Sequence, residues 1–326
     1  MAGLWDHLSK LAEAGKPLQA AAVDAVNKLT TTLPTLGGKQ LWTDYLIFHG
    51  WRIQKNAIDG GCRLLDENDW RQVSGTFDEC QKKLEQIKTD RKLPPMSGKM
   101  VLLLHGLFRT RSSMDSLAKY LETKGNYHTA TVEYASTRGE VGLHAEGLAS
   151  IIKHLDGVEE IYFVGHSLGN LVVRHYLHDT TDPATGKQGD ARIKRFVMLG
   201  PPNNGAQIAE KFGQNDLFQF VVGGSGQQLA KGWAELEKKL ATPKCEFGIV
   251  AGGRGDDKGF NPLLDGDDDF VVTVESAKLP GARDFLLVPV AHSFLMYNDK
   301  AQEATLSFLK NGYFVSDEKR QPLEKK

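Results

Sequence analysis

Positions 165–169 read Gly-His-Ser-Leu-Gly, so that Ser167 has a glycine two residues away on each side. The apolar run Ile161–Val164 precedes it, and a helical pattern over 170–176 follows it. In this strand–turn–helix setting a serine sits on a strained turn, and the glycines let strand and helix approach closely. The pattern predicts that Ser167 is an exposed nucleophile; the alternative is an ordinary serine in a glycine-rich turn.

A serine hydroxyl is a useful nucleophile only when a base accepts its proton and a third group orients that base. His292 is the best placed of the ten histidines, because it follows the apolar run Phe285–Val290. A residue just past such a strand lies at the carboxyl edge of the sheet, the edge that also presents Ser167. We therefore predict that His292 is the general base, while His166 is expected to point away from the site.

An acidic cluster supplies the candidates for the orienting carboxylate. It cannot be an EF-hand loop, because Phe270 stands where glycine is needed and Ser276 where glutamate is needed. The carboxylate must reach the histidine where the chain turns into a packed apolar run, which favours Asp269; a solvated acidic loop is the competing interpretation. The resulting order of serine, aspartate and histidine is that of α/β-hydrolases. The four candidates, of which Asp268 and then Asp267 rank behind Asp269, are Asp265, Asp267, Asp268 and Asp269.

Two backbone N–H groups are candidates for binding the oxyanion of a tetrahedral intermediate. The first is the N–H of Leu168, directly after the serine. The second is the N–H of Leu107, because a His-Gly turn at 105–106 follows the apolar run 100–104 and can direct it toward Ser167.

The segments 102–107, 163–169, 199–205 and 269–277, with His292, resemble the lipase and esterase branch of the α/β-hydrolase superfamily. The likeness covers about residues 99–312 and is closest to bacterial triacylglycerol-lipase-like proteins and the hydrolase domain of GPI inositol-deacylases. It implies a mostly parallel sheet with helices on both faces, and ester hydrolysis through an acyl-serine without metal or organic cofactor. In these families the acid usually stands in Asp-Gly-x-Val, whereas here Phe270 follows Asp269.

Short apolar runs alternate with helical patterns after a linker at 93–98, which is typical of a parallel sheet covered on both faces. Strands are predicted at 100–104, 129–134, 161–164, 196–199, 247–251 and 285–290, and helices at 113–124 and 142–155.

We divide the chain into an N-terminal helical extension (1–95), a catalytic domain (96–314) and a charged tail expected to fray (315–326). Helices are predicted at 4–12, 20–29 and 76–91, and the aromatic-rich segment 41–53 must be buried. The segment 214–240 holds five large apolar side chains between 217 and 222. It is expected to form either an apolar wall over the site or a buried helix.

Composition excludes several classes of protein. Forty basic and 41 acidic residues give a net charge of -1, which argues against a nucleic-acid-binding surface. The three cysteines are too few and too far apart for a disulfide framework or a CxxC metal site. There is no apolar stretch of the roughly 18 residues that a membrane span needs, and no secretory signal. We expect a cytoplasmic protein, for which peripheral contact with lipid is compatible with the resemblance.

The sequence thus predicts a serine esterase or lipase acting on a small-molecule or lipid ester. A thioesterase or amidase would use the same triad, since acyl specificity depends on pocket shape. The alternative from another class is an inactive hydrolase-fold binding protein. Acyl-chain length, oligomeric state and the role of residues 1–95 do not follow from the sequence.

Overall fold

The computed structural model describes residues 33–34, 39–205, 228 and 232–324. The strands are β1 Leu33–Pro34, β2 Trp42–Phe48, β3 Trp51–Asn56, β4 Cys62–Leu65, β5 Trp70–Gly75, β6 Gly98–Leu104, β7 His128–Val132, β8 Val158–His166, β9 Ile193–Leu199, β10 Glu246–Gly252 and β11 Asp284–Val288. The helices are α1 Phe77–Asp90, α2 Asp115–Gly125, α3 Val141–Lys153, α4 Leu168–Asp179, α5 Trp233–Glu237, α6 Val274–Ala277 and α7 Asp299–Asn311. Short 3-10 segments are Lys39–Leu41, Arg111–Met114, His292–Tyr297 and Asp317–Lys319.

Six strands form a parallel sheet in the order β11-β10-β9-β8-β6-β7. Successive side chains of a strand point to opposite faces. In β6, Leu102 therefore packs with α3 and α4, whereas Leu103 packs with α2 and α7 on the other face. The predicted parallel sheet with helices on both faces is confirmed, and each predicted strand from residue 100 onward overlaps an observed one.

The N-terminal part is an antiparallel sheet, so the predicted helical extension over 1–95 is wrong for residues 42–75. Strands β1 to β5 pair antiparallel in the order β1-β5-β4-β3-β2. The aromatic-rich segment folds as the hairpin β2–β3, because His49 adopts a φ of 51° and closes a two-residue turn. This turn places Phe48 opposite Trp51, and both are buried.

Helix α1 is the helix predicted at 76–91. It begins with a capping box, in which the Thr76 side chain accepts the Glu79 N–H and the Glu79 carboxylate accepts the Thr76 N–H. Its buried stripe of Cys80, Leu84 and Ile87 packs on the antiparallel sheet. The other two helices predicted in this part, at 4–12 and 20–29, lie outside the described residues.

The antiparallel sheet packs directly on helix α3 beside the parallel sheet. A Cβ added to Gly147 in α3 would lie 2.7 Å from Thr43 Cγ2 and 2.9 Å from the Asp44 carbonyl oxygen. Only glycine therefore allows β2 to approach α3 this closely. Apolar side chains from both parts, such as Ile47 and Leu148, belong to one continuous core.

The C-terminal segment is held against strand β11 as far as Leu323. The N–H of Gln321 donates to the buried Asp284 carboxylate (2.8 Å), and the Leu323 N–H donates to the Ala282 carbonyl (2.9 Å). The Gly281 N–H donates in turn to the Leu323 carbonyl (2.6 Å). The expectation of a frayed tail is wrong for these residues, because backbone hydrogen bonds hold the segment and Leu323 packs against the core.

Candidate active site

Ser167 stands on a sharp turn between β8 and α4, with φ 53° and ψ −120°. Positive φ in a residue other than glycine is strained, and such strain concentrates at functional sites. A Cβ on Gly165 would lie 2.4 Å from Asn170 Oδ1, and one on Gly169 would lie 2.5 Å from the Leu104 carbonyl oxygen. Both glycines of the pentapeptide are therefore required by close packing around a partly exposed serine.

His292 and Asp269 lie at the same edge of the sheet and are hydrogen bonded. His292 Nδ1 is 2.7 Å from Asp269 Oδ2, and the His292 N–H donates to the Asp269 carbonyl (2.8 Å). The other carboxylate oxygen, Oδ1, accepts the N–H groups of Val271 (3.1 Å) and Val272 (2.8 Å). A carboxylate accepts only, so Nδ1 carries the proton and Nε2 of the neutral ring is left as an acceptor.

The neighbouring aspartates do not face His292. Buried Asp268 accepts the N–H groups of Asn261 (3.0 Å) and Phe270 (2.7 Å). Asp267 accepts the N–H groups of the glycine-rich turn that begins at Arg254 (2.7 Å). Among the three carboxylates, the structure brings Asp269 to the histidine and uses the other two to shape the loop.

Phe270 occupies the position of the glycine in the Asp-Gly-x-Val pattern of the families that the sequence resembles, and its φ of 83° lies in the region that glycine favours. The Asn261 side-chain amide donates to the Phe270 carbonyl (3.0 Å), and the Phe270 ring stacks on Phe260 at 5.2 Å. These contacts hold the strained backbone, so the departure from Asp-Gly-x-Val leaves Asp269 beside His292.

The expectation that His166 points away from the site is wrong. Its ring lies 4.8 Å from the His292 ring, and its Nε2 is 3.0 Å from the His292 carbonyl oxygen. Burial, and then the neighbouring His292, lower the pKa of His166 well below its ordinary value. A neutral His166 therefore donates Nε2–H to the main chain of His292 and brings no charge to the site.

The end of strand β9 connects the serine to the histidine. The Ser167 N–H donates to the Leu199 carbonyl (2.9 Å), and the next residue, Gly200, has φ 51°. A Cβ on Gly200 would lie 3.1 Å from the His292 ring. Within the described residues no hydrogen bond joins the Ser167 hydroxyl to His292, and catalytic hydrogen bonds commonly tighten only when substrate binds.

The two candidate oxyanion donors are the N–H groups of Leu107 and Leu168, and both residues lie beside Ser167. A turn from Gly106 to Arg109, with Phe108 at φ 61°, carries Leu107. A Cβ on Gly106 would lie 3.2 Å from Ser167 Cβ, so this turn touches the elbow. Leu168 is the first residue of α4, where backbone N–H groups lack helical partners. Neither the Leu107 nor the Leu168 N–H has a hydrogen-bond acceptor in the part of the chain that is described.

Two buried polar residues in α4 support the elbow and were not predicted. The Asn170 side-chain amide donates to the carbonyls of Ser167 (3.0 Å) and Leu199 (3.2 Å). Arg174 donates to Asn203 Oδ1 (3.0 Å), and burial lowers the pKa of Arg174 to about 10. Their sequence signal is a polar residue within an otherwise apolar helix, since such groups are buried only with partners.

The proposed apolar wall falls mostly outside the described residues. Positions 217–222 are among those not described; of the rest of 214–240, the short helix α5 buries Leu236. In the described ranges, no three His, Cys, Asp or Glu side chains are arranged to hold a metal ion. None of the helices described there is long and apolar enough to cross a membrane.

Comparison with known proteins matches residues 95–221 to the family described as "Putative serine esterase (DUF676)". Curated proteins yield no significant match. Similar solved structures include the product of the lin2722 gene of Listeria innocua, at 17% identity and TM-score 0.46, covering 69% of this chain and 96% of that one. Mature Bacillus licheniformis lipase BlEst2 has 18% identity and TM-score 0.47, covering 67% and 94%. The metagenomic carboxyl esterase MGS0156 has 20% identity and TM-score 0.44, covering 60% and 64%.

The parallel sheet, the serine elbow that follows β8 and the family match over residues 95–221 agree with one another. Residues 95–221 are therefore similar to the family described as putative serine esterases, and the described part of the chain has a parallel sheet covered by helices on both faces.

Proposed function

We propose that this protein hydrolyses carboxylic esters through an acyl-serine intermediate, with Ser167 as nucleophile, His292 as general base and Asp269 as its orienting acid. The observation that carries the proposal is the 2.7 Å contact between His292 Nδ1 and Asp269 Oδ2 at the edge that presents the strained Ser167. This contact leaves His292 Nε2 to accept a proton, as the chemistry requires.

The reaction follows from these roles. His292 Nε2 accepts the Ser167 hydroxyl proton while Oγ attacks the ester carbonyl, and the N–H groups of Leu107 and Leu168 bind the oxyanion. His292 then returns the proton to the leaving alkoxide, which yields an acyl-serine and an alcohol. Water attacks the acyl group, His292 accepts the proton of that water, and the collapse of the second intermediate releases the acid and restores Ser167.

Two exposed aromatic side chains favour an ester with an apolar acyl or alcohol part. Phe108 follows the proposed donor Leu107 and is 49% exposed; Phe294 lies two residues after His292 and is 60% exposed. Exposed aromatic side chains beside the site can contact an apolar part of a bound ester, and each methylene buried against them would contribute about 0.8 kcal/mol. A hydrophobic ester would gain this contribution, whereas acetate would not.

Labelling with a fluorophosphonate tests the nucleophile, because the probe requires an activated serine. The wild type should be labelled and should hydrolyse p-nitrophenyl esters, and Ser167→Ala should lose both properties. Ser150→Ala in α3 is the matched control and should retain both. Persistent labelling of Ser167→Ala would contradict the assignment, and an unreactive wild type would favour a binding protein. Faster turnover of thioesters or anilides than of oxygen esters would favour a thioesterase or an amidase.

The orienting acid is tested by exchanging single carboxylates for amides. Asp269→Asn should lower kcat by about three to four orders of magnitude, because His292 loses its orienting partner. Asp268→Asn should instead lower the melting temperature and leave kcat within about tenfold, since Asp268 accepts loop N–H groups and does not face His292. The reverse order of the two kcat values would transfer the role to Asp268.

A further inference from the structure

The Gly106 carbonyl and the Leu107 N–H belong to the same peptide unit, so the groups that bind the carbonyl oxygen also fix the direction of the N–H. A trans peptide unit is planar, so its C=O and N–H point in opposite directions. The Gly106 oxygen accepts the Arg109 N–H (3.2 Å) and lies 2.8 Å from His105 Nδ1. Because these groups bind the oxygen from one side, the N–H of Leu107 is directed to the other.

The His105 ring is fully buried and has an oxygen at each nitrogen. It stacks on Tyr134 with 4.1 Å between ring centroids and 6° between planes. Its Nε2 is 3.3 Å from Oε1 of Glu133, a carboxylate that is 1% exposed. The two atoms lie at ion-pair distance, and neither His105 Nε2 nor Glu133 Oε1 makes a hydrogen bond in the described residues.

Both oxygens that face the ring are acceptors, a backbone carbonyl at Nδ1 and a carboxylate at Nε2. A neutral imidazole carries a single N–H and would turn a lone pair toward one of them. A ring protonated on both nitrogens donates to the Gly106 carbonyl and places a positive charge beside the Glu133 carboxylate, whose burial without a partner would be very unfavourable.

We propose that His105, protonated on both nitrogens and paired with Glu133, is a positioning residue that fixes the Gly106–Leu107 peptide so that the Leu107 N–H faces the oxyanion. The inference rests on the proposed function and deepens it, since it extends the catalytic arrangement to a buried ion pair behind the oxyanion loop.

The N-terminal antiparallel sheet holds the other end of this arrangement. Asp44 in β2 is fully buried and accepts the Glu133 N–H (2.8 Å), while the Asp44 N–H donates to the Glu133 carbonyl (2.9 Å). The same carboxylate accepts hydrogen bonds from Arg52 (2.5 Å) and Gln54 (2.8 Å). Asp69, at the start of β5, binds the Arg111 guanidinium through both oxygens at 2.8 Å. The sheet therefore supports the segment that carries the oxyanion donor.

Kinetics with an oxyanion-mimicking inhibitor separate positioning from folding. His105→Phe keeps an aromatic ring on Tyr134 but has no N–H for Gly106. It should lower kcat for a p-nitrophenyl ester about 10- to 100-fold, with KM changed less than about threefold, because the donor acts in the transition state. The Ki of an alkyl trifluoromethyl ketone, which binds as a tetrahedral adduct, should rise by about the same factor as kcat falls.

Two substitutions of Glu133 test the partner. Glu133→Leu should reproduce the loss seen in His105→Phe. In Glu133→Gln the amide carbonyl can accept the Arg111 N–H, which Glu133 Oε2 now accepts at 3.3 Å, and the amide N–H can donate to His105 Nε2. His105 then keeps its Nδ1–H on Gly106 without a positive charge, so kcat and Ki should recover to within about fivefold of the wild type.

Asp284→Asn is the matched control. It alters another buried carboxylate, at the amino end of β11, and should lower the melting temperature while leaving kcat and Ki unchanged. Wild-type kcat and Ki in His105→Phe would overturn the positioning role alone, and so would losses that merely follow the melting temperature. A wild type that neither hydrolyses the ester nor reacts with fluorophosphonate would overturn the proposed function and this inference together.

Discussion

At the scale of single residues, Phe270 combines a positive φ with an exposed side chain, 48% accessible, directly after the proposed acid. Phe270→Ala would keep the unfavourable backbone conformation and lose the ring contact with Phe260. Phe270→Gly would lose the same contact but relieve the backbone, which is worth about 1 kcal/mol. The glycine variant should therefore be the more stable of the two by about that amount, as measured by urea denaturation. Equal or reversed stabilities would show that the backbone at this position is not strained.

The residues with candidate roles could be selected from sequence because each follows an apolar strand. Ser167, His292 and Leu107 come after β8, β11 and β6, and parallel strands carry such residues to one edge. Selecting Asp269 among four aspartates depended on the position of the apolar run that follows it. The orientation of His166 could not be predicted, because a side chain's partner can lie far away in sequence, here 126 residues.

At the scale of elements, helix α3 carries a buried histidine that makes stability depend on pH. Burial lowers the pKa of His144 to about 3, with a smaller contribution in the same direction from His105. The unfolded value is about 6.5, so between these two values the unfolded chain binds a proton that the folded chain does not. This contribution to stability is therefore fully present above pH 6.5 and decreases as the pH falls toward 3, by about 1.4 kcal/mol per unit.

His144→Phe removes this titration and retains an aromatic ring near Tyr134, which lies 5.0 Å away. Between pH 6 and pH 4, the free energy of unfolding should fall less steeply in the variant, by about 1.4 kcal/mol per pH unit. Urea denaturation at several pH values measures the two slopes. Parallel slopes would mean that His144 does not titrate on unfolding in this range.

The elements from β6 onward were predictable because their apolar patterns are long and regular. The N-terminal strands were not predicted, because the aromatic residues of 41–53 indicated that the segment is buried but not whether it is helix or strand. The decisive signal was local, the two-residue turn between β2 and β3, in which His49 has a positive φ. Turn chemistry of this kind outweighs composition, because one residue with positive φ reverses the chain.

At the scale of the whole molecule, the shared core predicts that the two sheets unfold together. Trp42, Trp51 and Trp70 lie in the antiparallel sheet, so fluorescence reports mainly on it, whereas helical circular dichroism reports mainly on the helices around the parallel sheet. The two signals should change at one urea midpoint, as expected for a single cooperative unit. Gly147→Val is the informative comparison, because its side chain would displace Thr43 from α3 and separate the transitions. Separate midpoints in the wild type would contradict a shared core.

The docking of the two sheets could not be predicted from sequence. It depends on contacts such as Asp44 with Glu133, whose members are 89 residues apart and carry no local pattern. Buried carboxylates of this kind resemble surface residues until the partner that satisfies them is known.

The separation of 89 residues between Asp44 and Glu133 also has a consequence during synthesis on the ribosome. At about 5–20 residues per second, some 89 residues take about 5–20 s to translate, so β2 emerges well before Glu133, the residue on which Asp44 docks. Before Glu133 is synthesised, the surface of β2 and β3 that will contact it carries Asp44, Arg52 and Gln54, all of which water can solvate. The polar part of the junction can therefore stay hydrated until Glu133 is synthesised, whereas the apolar part around Ile47 is covered only when α3 has followed.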